Sequence, residues 1–369
     1  MSSMSDKMTS NRVIQKPTPS KQGLKLAIGI GMAVCIGALA GCQGGLDDLT
    51  PKAQRSVPKK LITKMKAKSM RYGSPILIRI FKQENALEVW KQKTNGRYGL
   101  LKEYEICKWS GKFGPKFKEG DRQAPEGFYT VNPYQMNPNS SYHLSFNMGF
   151  PNKYDRAHGR TGSHLMIHGA CSSAGCYSMT DDRVEEIYAM ARDSFKGGQK
   201  AFQIQAFPFR LTPKNMFSHR DNKHFAFWKM LKIGYDQFEA TKRPPNVEVC
   251  GRQYKFNVAS ESGRKFSARS SCPPLYMRKS TALAYTKIKM RDDIVFDKLL
   301  AKAEGRDAKD FSNMSIAAAL PGIEVVTATY ATKPATVGTS SSNLTKPNSN
   351  AVAGSSVKKP GALPGISTE

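Results

Sequence analysis

The apolar and polar positions of the chain change register several times, and each change marks a segment. An unbroken run of small and apolar residues covers 26–40, preceded by Lys21 and Lys25. It is shorter than the about 20 residues that a membrane-spanning helix needs. A basic flank, a short apolar stretch and small residues at its end read as an export signal. Residues 43–72 are polar and basic, with Pro51, Pro58 and many lysines, and read as a tether, with a short helix over 59–70 as an alternative.

From Pro75 the pattern becomes strand-like. Residues 75–81 form an apolar run, 86–90 read as its hairpin partner, and 98–109 continue in the same style. Gly111, Gly114, Pro115 and Gly120 punctuate a loop. Three short strands are predicted at 127–131, 142–146 and 165–168, the last running straight into Gly169. Helices follow. Thr180 and two aspartates cap a helix to residue 193 with Val184, Ile187 and Tyr188 on one face. After a strand over 201–206, an amphipathic helix over 221–238 carries Phe225, Trp228 and Leu231. A further strand is expected over 254–258. The fold class is therefore mainly β with helical decorations over 73–250, followed by an extension over 251–333. The tail over 334–369 is rich in Ser, Thr, Asn, Pro, Ala and Gly and is expected to be disordered.

Composition narrows the setting. The 369 residues are enough for a well-buried core. The 57 lysines and arginines against 29 acidic residues give +28, which favours polyanionic surroundings without naming one. The apolar run closes on Leu39-Ala40-Gly41-Cys42, which resembles a bacterial lipobox, with residues 1–41 as signal peptide and Cys42 as the lipidated residue. An ordinary signal or an uncleaved anchor is the alternative. Either places the rest of the chain outside the cytoplasm. Gln43 in place of aspartate favours the outer over the inner membrane, by resemblance to enterobacterial lipoproteins. A nucleic-acid partner would explain the charge but not the export signal, and no recognised nucleic-acid motif is present. Beyond Cys35 and Cys42, five cysteines remain, so an oxidising compartment allows two bridges at most and leaves at least one thiol free. Cys250 and Cys272 bracket a short segment and are the predicted pair. Cys171 is left open as an incidental residue, a redox partner of Cys176, or a mate for Cys107.

The chemistry concentrates between Arg160 and Thr180. A strand delivers His168 to a glycine turn. Gly175 precedes Cys176, so the backbone can turn sharply and present amides to a substrate oxygen. Helix signals follow at Asp181, so Cys176 is expected just before a helix N-terminus, where the dipole and an imidazolium favour a thiolate. A lone histidine or cysteine is more often a core residue. Glycines flanking both, with serines between, favour a nucleophile and its base. His143, His158 and His164 do not form a zinc set and are expected to be structural or surface residues.

The segment resembles the YkuD-type L,D-transpeptidase family, whose signature is His-Gly followed by Ser-x-Gly-Cys: here His168-Gly169 and Ser173-Ala174-Gly175-Cys176. The compact spacing resembles the YafK branch. So do Pro125-Glu126-Gly127-Phe128-Tyr129, the stretch Met136-Asn137-Pro138-Asn139-Ser140-Ser141-Tyr142-His143-Leu144-Ser145-Phe146, and Gly149-Phe150-Pro151-Asn152. The resemblance runs over residues 74–255 and implies a β-sandwich catalytic domain. It implies Cys176 as the nucleophile on a peptidoglycan stem-peptide carbonyl, His168 as its base, and the Gly169 carbonyl as the group orienting the imidazole. Amides of Gly175 and Cys176 would hold the oxyanion, and Ser173 would support the loop or touch substrate. Arg160 and Ser163 are candidates for the substrate carboxylates, with a structural ion pair the equal alternative for Arg160.

The leading expectation is peptidoglycan L,D-transpeptidation in cell-wall remodelling by a periplasmic, lipid-anchored enzyme. The first alternative keeps the site but uses water, cleaving cross-links or releasing peptidoglycan-bound lipoprotein. The second is a non-catalytic wall-binding lipoprotein. No cofactor and no metal are implied, because thiol and imidazole suffice.

Overall fold

The computed structural model describes residues 50–310 and 316–326, which fall in one compact unit. The signal, Cys42 and the tail over 334–369 lie outside the described residues.

In chain order the elements are α1 (Lys59–Ala67), β1 (Ile76–Phe81), β2 (Ala86–Gln92), β3 (Tyr98–Glu105), β4 (Lys108–Trp109), β5 (Gly127–Val131), β6 (Met136–Asn137) and β7 (Ser145–Asn147). Then come α2 (Lys153–Ala157), β8 (Met166–His168), β9 (Tyr177–Ser178), α3 (Asp181–Lys196), β10 (Phe202–Phe207), α4 (Pro213–Ser218) and α5 (Phe225–Thr241). The chain continues through β11 (Val247–Cys250), β12 (Gln253–Phe256), β13 (Val258–Ser260), β14 (Leu275–Arg278), α6 (Lys279–Glu304) and, after a short helix, β15 (Ile323–Val326).

The fold is mainly β, a sandwich of two five-stranded sheets dressed with helices. One sheet runs β3-β2-β1-β10-β5 and the other β4-β9-β8-β7-β6. The predicted hairpin is β1–β2, with Ile78 opposite Val89. All six residues of β1 are buried because both faces of the strand are covered. Ile76, Ile78 and Ile80 join Phe146, Ile167 and Tyr177 in the core between the sheets. On the other face, Leu77 packs with Phe238 of α5. Arg79 is also buried there, paired with Glu239 at 2.6 Å and set over the rings of Tyr235 and Phe238.

The structure differs from expectation in three places that bear on the site. The segment read as a tether packs on the core from Val57 onward: Val57, Leu61, Met65 and Met70 are buried, with Leu61 and Met65 one helical turn apart in α1. The strand expected at 142–146 is displaced to Ser145–Asn147, because the chain turns at His143, whose φ is +67°. The strand expected over 254–258 breaks at Asn257, φ +54°, so β12 and β13 belong to different sheets. Beyond β12, α6 packs on α5 through Lys232, which bridges Asp236 and Asp292 at 2.7 and 2.6 Å.

Candidate active site

The second sheet places the two candidate residues side by side. β8 and β9 are parallel neighbours, with Ile167 opposite Tyr177 and His168 opposite Ser178. His168 ends β8, and Cys176 immediately precedes β9, close to Met166, whose amide donates to Cys176 Sγ at 3.4 Å. Parallel neighbours ordinarily need a crossover of about a dozen residues or more. Here the short link from Gly169 to Cys176 is enough, and it is held tightly.

Each hold on the link can be named. Ala170 and Cys171 adopt left-handed conformations, φ +61° and +46°. The Ala170 amide donates to Asp181 Oδ1 at 2.8 Å, and the Gly169 amide to the Tyr142 carbonyl at 3.1 Å. A side chain at Gly169 would run into the Asp181 carboxylate and come within 3.0 Å of the Tyr142 carbonyl, so the position needs glycine. Cys171 is disulfide-bonded to Cys107, which settles the three-way choice left by the sequence; Cys176 is the free thiol. The amides of Cys107 and Cys171 donate to the neighbouring carbonyls of Ser178 and Met179, so the bridge ties both flanks of β9 together. Cys250 and Cys272 form a second disulfide, remote in sequence from this link.

His168 is 4% exposed. Its Nδ1 lies 2.6 Å from the Gly169 carbonyl. A carbonyl can only accept, so Nδ1 carries the hydrogen and Nε2 is left as the basic nitrogen. The Tyr142 ring packs on the imidazole at 4.8 Å between centroids. Burial pulls the His168 pKa down, partly opposed by the Gly169 hydrogen bond. Burial pushes the Cys176 thiol up, against the Met166 amide and the charge of Lys116. Both directions favour neutral thiol beside neutral imidazole. The expectation of a thiolate at a helix N-terminus is therefore corrected: β9, Met179 and Thr180 separate Cys176 from α3, and Asp181 and Asp182 occupy the first turn of that helix.

A pH profile follows, with its sign fixed by these directions. The neutral imidazole is the competent base, so activity should persist below the ordinary histidine pKa of about 6.5 and fail only at lower pH. Direct iodoacetamide alkylation of Cys176 should require higher pH than for an ordinary thiol. Alkylation complete at mildly acidic pH would show a preformed thiolate and overturn the neutral pair.

Cys176 and His168 line one open cleft of about 540 Å³. Asn137, Ser140, Ser141 and Tyr142 contribute further lining, with Ser145, His164 and Met166. Among the described residues, the lining holds neither carboxylate nor lysine nor arginine. A groove of about 590 Å³ elsewhere, lined by Phe227, Tyr254 and Phe256, includes neither candidate.

The other predicted site residues separate into supports and bystanders. Ser173 Oγ donates to the Cys176 carbonyl at 2.8 Å and lies 2.7 Å from Ser110 Oγ. Gly175 has φ +133°, and its amide is turned to the hydroxyls of Ser110 and Ser173 at 3.2 and 3.3 Å rather than to the cleft. Arg160 is buried, paired with Asp155 at 2.8 Å and packed on the rings of Phe117, Tyr154 and Phe227. A guanidinium so enclosed is unavailable to a substrate, and its assignment to substrate binding is withdrawn. Ser163 donates to Glu119 at 2.9 Å and is absent from the cleft lining, so its assignment is withdrawn as well. His143 pairs with Glu185 at 2.5 Å, and exposed His158 lies 2.8 Å from the Arg252 carbonyl. His164 does line the cleft, and its carbonyl lies 3.6 Å from Cys176 Sγ.

Sequence reasoning missed Ser110 and the Tyr142 contact. Tyr142 stood in the stretch that carried the resemblance, but nothing marked its ring as the neighbour of His168. Ser110 had no local signal, since its partners lie more than sixty residues away.

The model of the L,D-transpeptidase catalytic domain family, YkuD, matches residues 77–199. Over 182 residues the chain is 47% identical to an Escherichia coli (strain K12) protein provisionally named L,D-transpeptidase YafK, spanning 49% of this chain and 74% of that protein. The protein of the same name from Escherichia coli O157:H7 matches to the same extent. Among solved structures, the helical cell shape determining protein Pgp2 of Campylobacter jejuni overlaps at 18% identity and a TM-score of 0.30, covering 51% of this chain and 79% of that one. A point variant of Pgp2 overlaps at 19% and 0.30; there the match covers 50% of this chain and 65% of the other. Bd1075 of Bdellovibrio bacteriovorus overlaps at 17% and 0.27, covering 47% of this chain and 76% of that one.

Proposed function

As the chain belongs to the YkuD family of L,D-transpeptidases, we propose that it transfers an acyl group from a peptidoglycan stem peptide through a thioester on Cys176. The observation that carries this reading is the free Cys176 thiol on the same cleft as a His168 whose Nδ1 is committed to the Gly169 carbonyl.

The steps follow from that geometry. His168 Nε2 takes the thiol proton as Sγ attacks the stem-peptide carbonyl. The developing oxyanion meets the Cys176 amide, which lies outside the β8–β9 ladder pairs; the Gly175 amide would have to leave its serine hydroxyls to join it. The tetrahedral intermediate collapses, the imidazolium gives its proton to the departing amine, and the thioester remains. An incoming amine, deprotonated by His168, then takes the acyl group and restores the thiol. Tyr142 limits the imidazole's rotation and its access to water.

Water is the second acceptor to weigh, and one observation favours it. The rim of the cleft at His164, Ser172 and Ala174 is exposed, so solvent reaches the thioester. Hydrolysis would cleave cross-links or release lipoprotein joined to peptidoglycan. A lipid anchor at Cys42 in the periplasm, preferably on the outer membrane, accords with either acceptor.

Muropeptide mass spectrometry tests both. The protein is incubated with sacculi that carry attached lipoprotein, beside Cys176→Ala. New stem-to-stem bonds would establish amine transfer. Loss of cross-links or release of lipoprotein, without new bonds, would establish hydrolysis. Sacculi unchanged by either protein would sink the reading.

A further inference from the structure

The groove that includes neither Cys176 nor His168 has a volume of about 590 Å³, within the size range of ligand pockets. One wall is α5, which brings Phe227, Met230 and Ile233 into it, all half-buried. From Phe227 to Gln237 that wall is roughly 15 Å long at the rise of an α-helix, the span of about five extended residues. Another wall is β12. All four of its residues line the groove, although successive side chains of a strand point to opposite faces, so the groove runs along the edge of the strand.

That edge is unpaired. β12 pairs with β11 on one side and, among the described residues, with no strand on the other. The Asn257 amide donates to the Asn246 carbonyl at 2.9 Å. Hydrogen-bonded pairs alternate along an antiparallel ladder, so Lys255 and Gln253 bond to β11, and the amides and carbonyls of Tyr254 and Phe256 face away from it. A further donor lies on the α5 wall. Gln237 is 1% exposed. Asn257 Oδ1 accepts from the Asn246 amide at 2.9 Å, so Asn257 Nδ2 is the donor to Gln237 Oε1, at 2.6 Å. This leaves the buried Gln237 Nε2 without a partner among the described residues. An unmet buried donor is unfavourable, and a carbonyl brought into the groove would satisfy it.

The chemistry of the lining narrows the occupant. It carries His158, Arg252 and Lys255 and, among the described residues, no carboxylate. Arg252 is exposed, with no side-chain partner among the described residues. Peptide carbonyls recur along a chain and reach Tyr254, Phe256 and Gln237 together; an acyl chain keeps its oxygens at one end. The cationic rim calls for acidic side chains. Residues 327–369 hold four lysines against Glu369, and a second copy carries +28, so neither complements the rim. We propose that an extended segment of another protein, alternating apolar with acidic residues, docks here as a third strand on β12. Its apolar side chains lie on Phe227, Met230 and Ile233, and its acidic ones meet Arg252 and Lys255.

The probe is a random heptapeptide phage library panned on the full chain. Prior depletion on the Met230→Glu/Arg252→Glu protein removes peptides drawn to positive surface elsewhere. Panning should enrich sequences in which Val, Ile or Phe alternates with Asp or Glu. A selected peptide, made with a fluorescent label, should bind Arg252→Glu and Met230→Glu about tenfold or more weakly than the native chain, read by anisotropy. N-methylation of the peptide tests strand addition on the native chain, with no variant needed. Methyl groups on the alternate residues whose amides pair with β12 should abolish binding, and the same number on the intervening residues should leave it within about twofold. No enrichment, or binding indifferent to the register of N-methylation, would overturn the proposal. Removal of residues 327–369 should leave affinity within about twofold. A tenfold gain on that removal would make the tail the occupant, and affinity that falls as protein concentration rises would make it a second copy; either overturns a foreign partner.

Discussion

Cys176→Ala is expected to remove acyl transfer altogether, by on the order of 10³-fold or more, while the protein stays folded. The size follows from the chemistry. The thiol makes the covalent bond, and no other free cysteine is present among the described residues. Cys107, Cys171, Cys250 and Cys272 are paired and cannot replace it. Stability should change little, because Sγ makes only long contacts, 3.4 Å to the Met166 amide and 3.6 Å to the His164 carbonyl. Intact-protein mass spectrometry after incubation with a stem tetrapeptide should show an added acyl mass on the native chain and none on the variant. Thermal unfolding of the two should agree within a few degrees. Turnover by a well-folded Cys176→Ala protein would place the nucleophile elsewhere and overturn the mechanism. His168→Ala should lose acylation too, with direct alkylation of the thiol retained. That split separates the base from the nucleophile.

How much of this could be read from the chain depends on the range over which each feature is encoded. Residues 75–92 encode their strands locally, because apolar content and a turn suffice for a hairpin, and β1 and β2 pair as that pattern predicts. The helix after Thr180 is equally local: Val184, Ile187 and Tyr188 are buried on one face. The pair His168 and Cys176 was legible because both lie in one short glycine-marked stretch. The strands of the second sheet span two or three residues, too few for alternation to show, and the 142–146 expectation failed on that account. Arg160 was open between a substrate ligand and an ion-pair partner, and only the fold decides for the pair, because Asp155 serves at the same time in the cap of α2, where it accepts from the Asn152 amide. Cys107 and Cys171 are 64 residues apart, so only the fold could select their pairing over Cys171 with Cys176. Ser110 reaches the loop before the nucleophile from a segment whose glycines and prolines announced turns but not where those turns would land.

Lys82→Met should destabilise the protein by about 3–5 kcal/mol, the cost of leaving a buried charge without its partner. Lys82 and Glu126 are both 0% exposed and 2.9 Å apart. The Lys82 amine also donates to the carbonyls of Ala124, Gly114 and Lys112 at 2.7, 3.2 and 3.3 Å. Glu126 accepts from the Gly114 amide at 2.7 Å and from Trp228 Nε1 of α5 at 2.8 Å. One ion pair thus fixes the end of β1, the loop over 112–126 and a helix to one another. Burial pulls the Lys82 pKa down, and the charge and hydrogen bond of Glu126 oppose that pull. Without the amine, Glu126 must either remain charged in the core or take up a proton and weaken its bonds to Gly114 and Trp228. Glu126→Gln alone should cost less, because Lys82 can release its proton and still face three carbonyls. The double variant Lys82→Met/Glu126→Gln should then be more stable than the sum of the single losses by about 1 kcal/mol or more, read from urea midpoints. Additive losses would show that the two side chains act independently. The same loop follows directly on Ser110, whose hydroxyl steadies the Gly175 amide. The alkylation rate of Cys176 in the Lys82→Met protein, measured well below its urea midpoint, should therefore depart from that of the native chain. An unchanged rate would mean that the loop keeps its place beside the nucleophile without the ion pair.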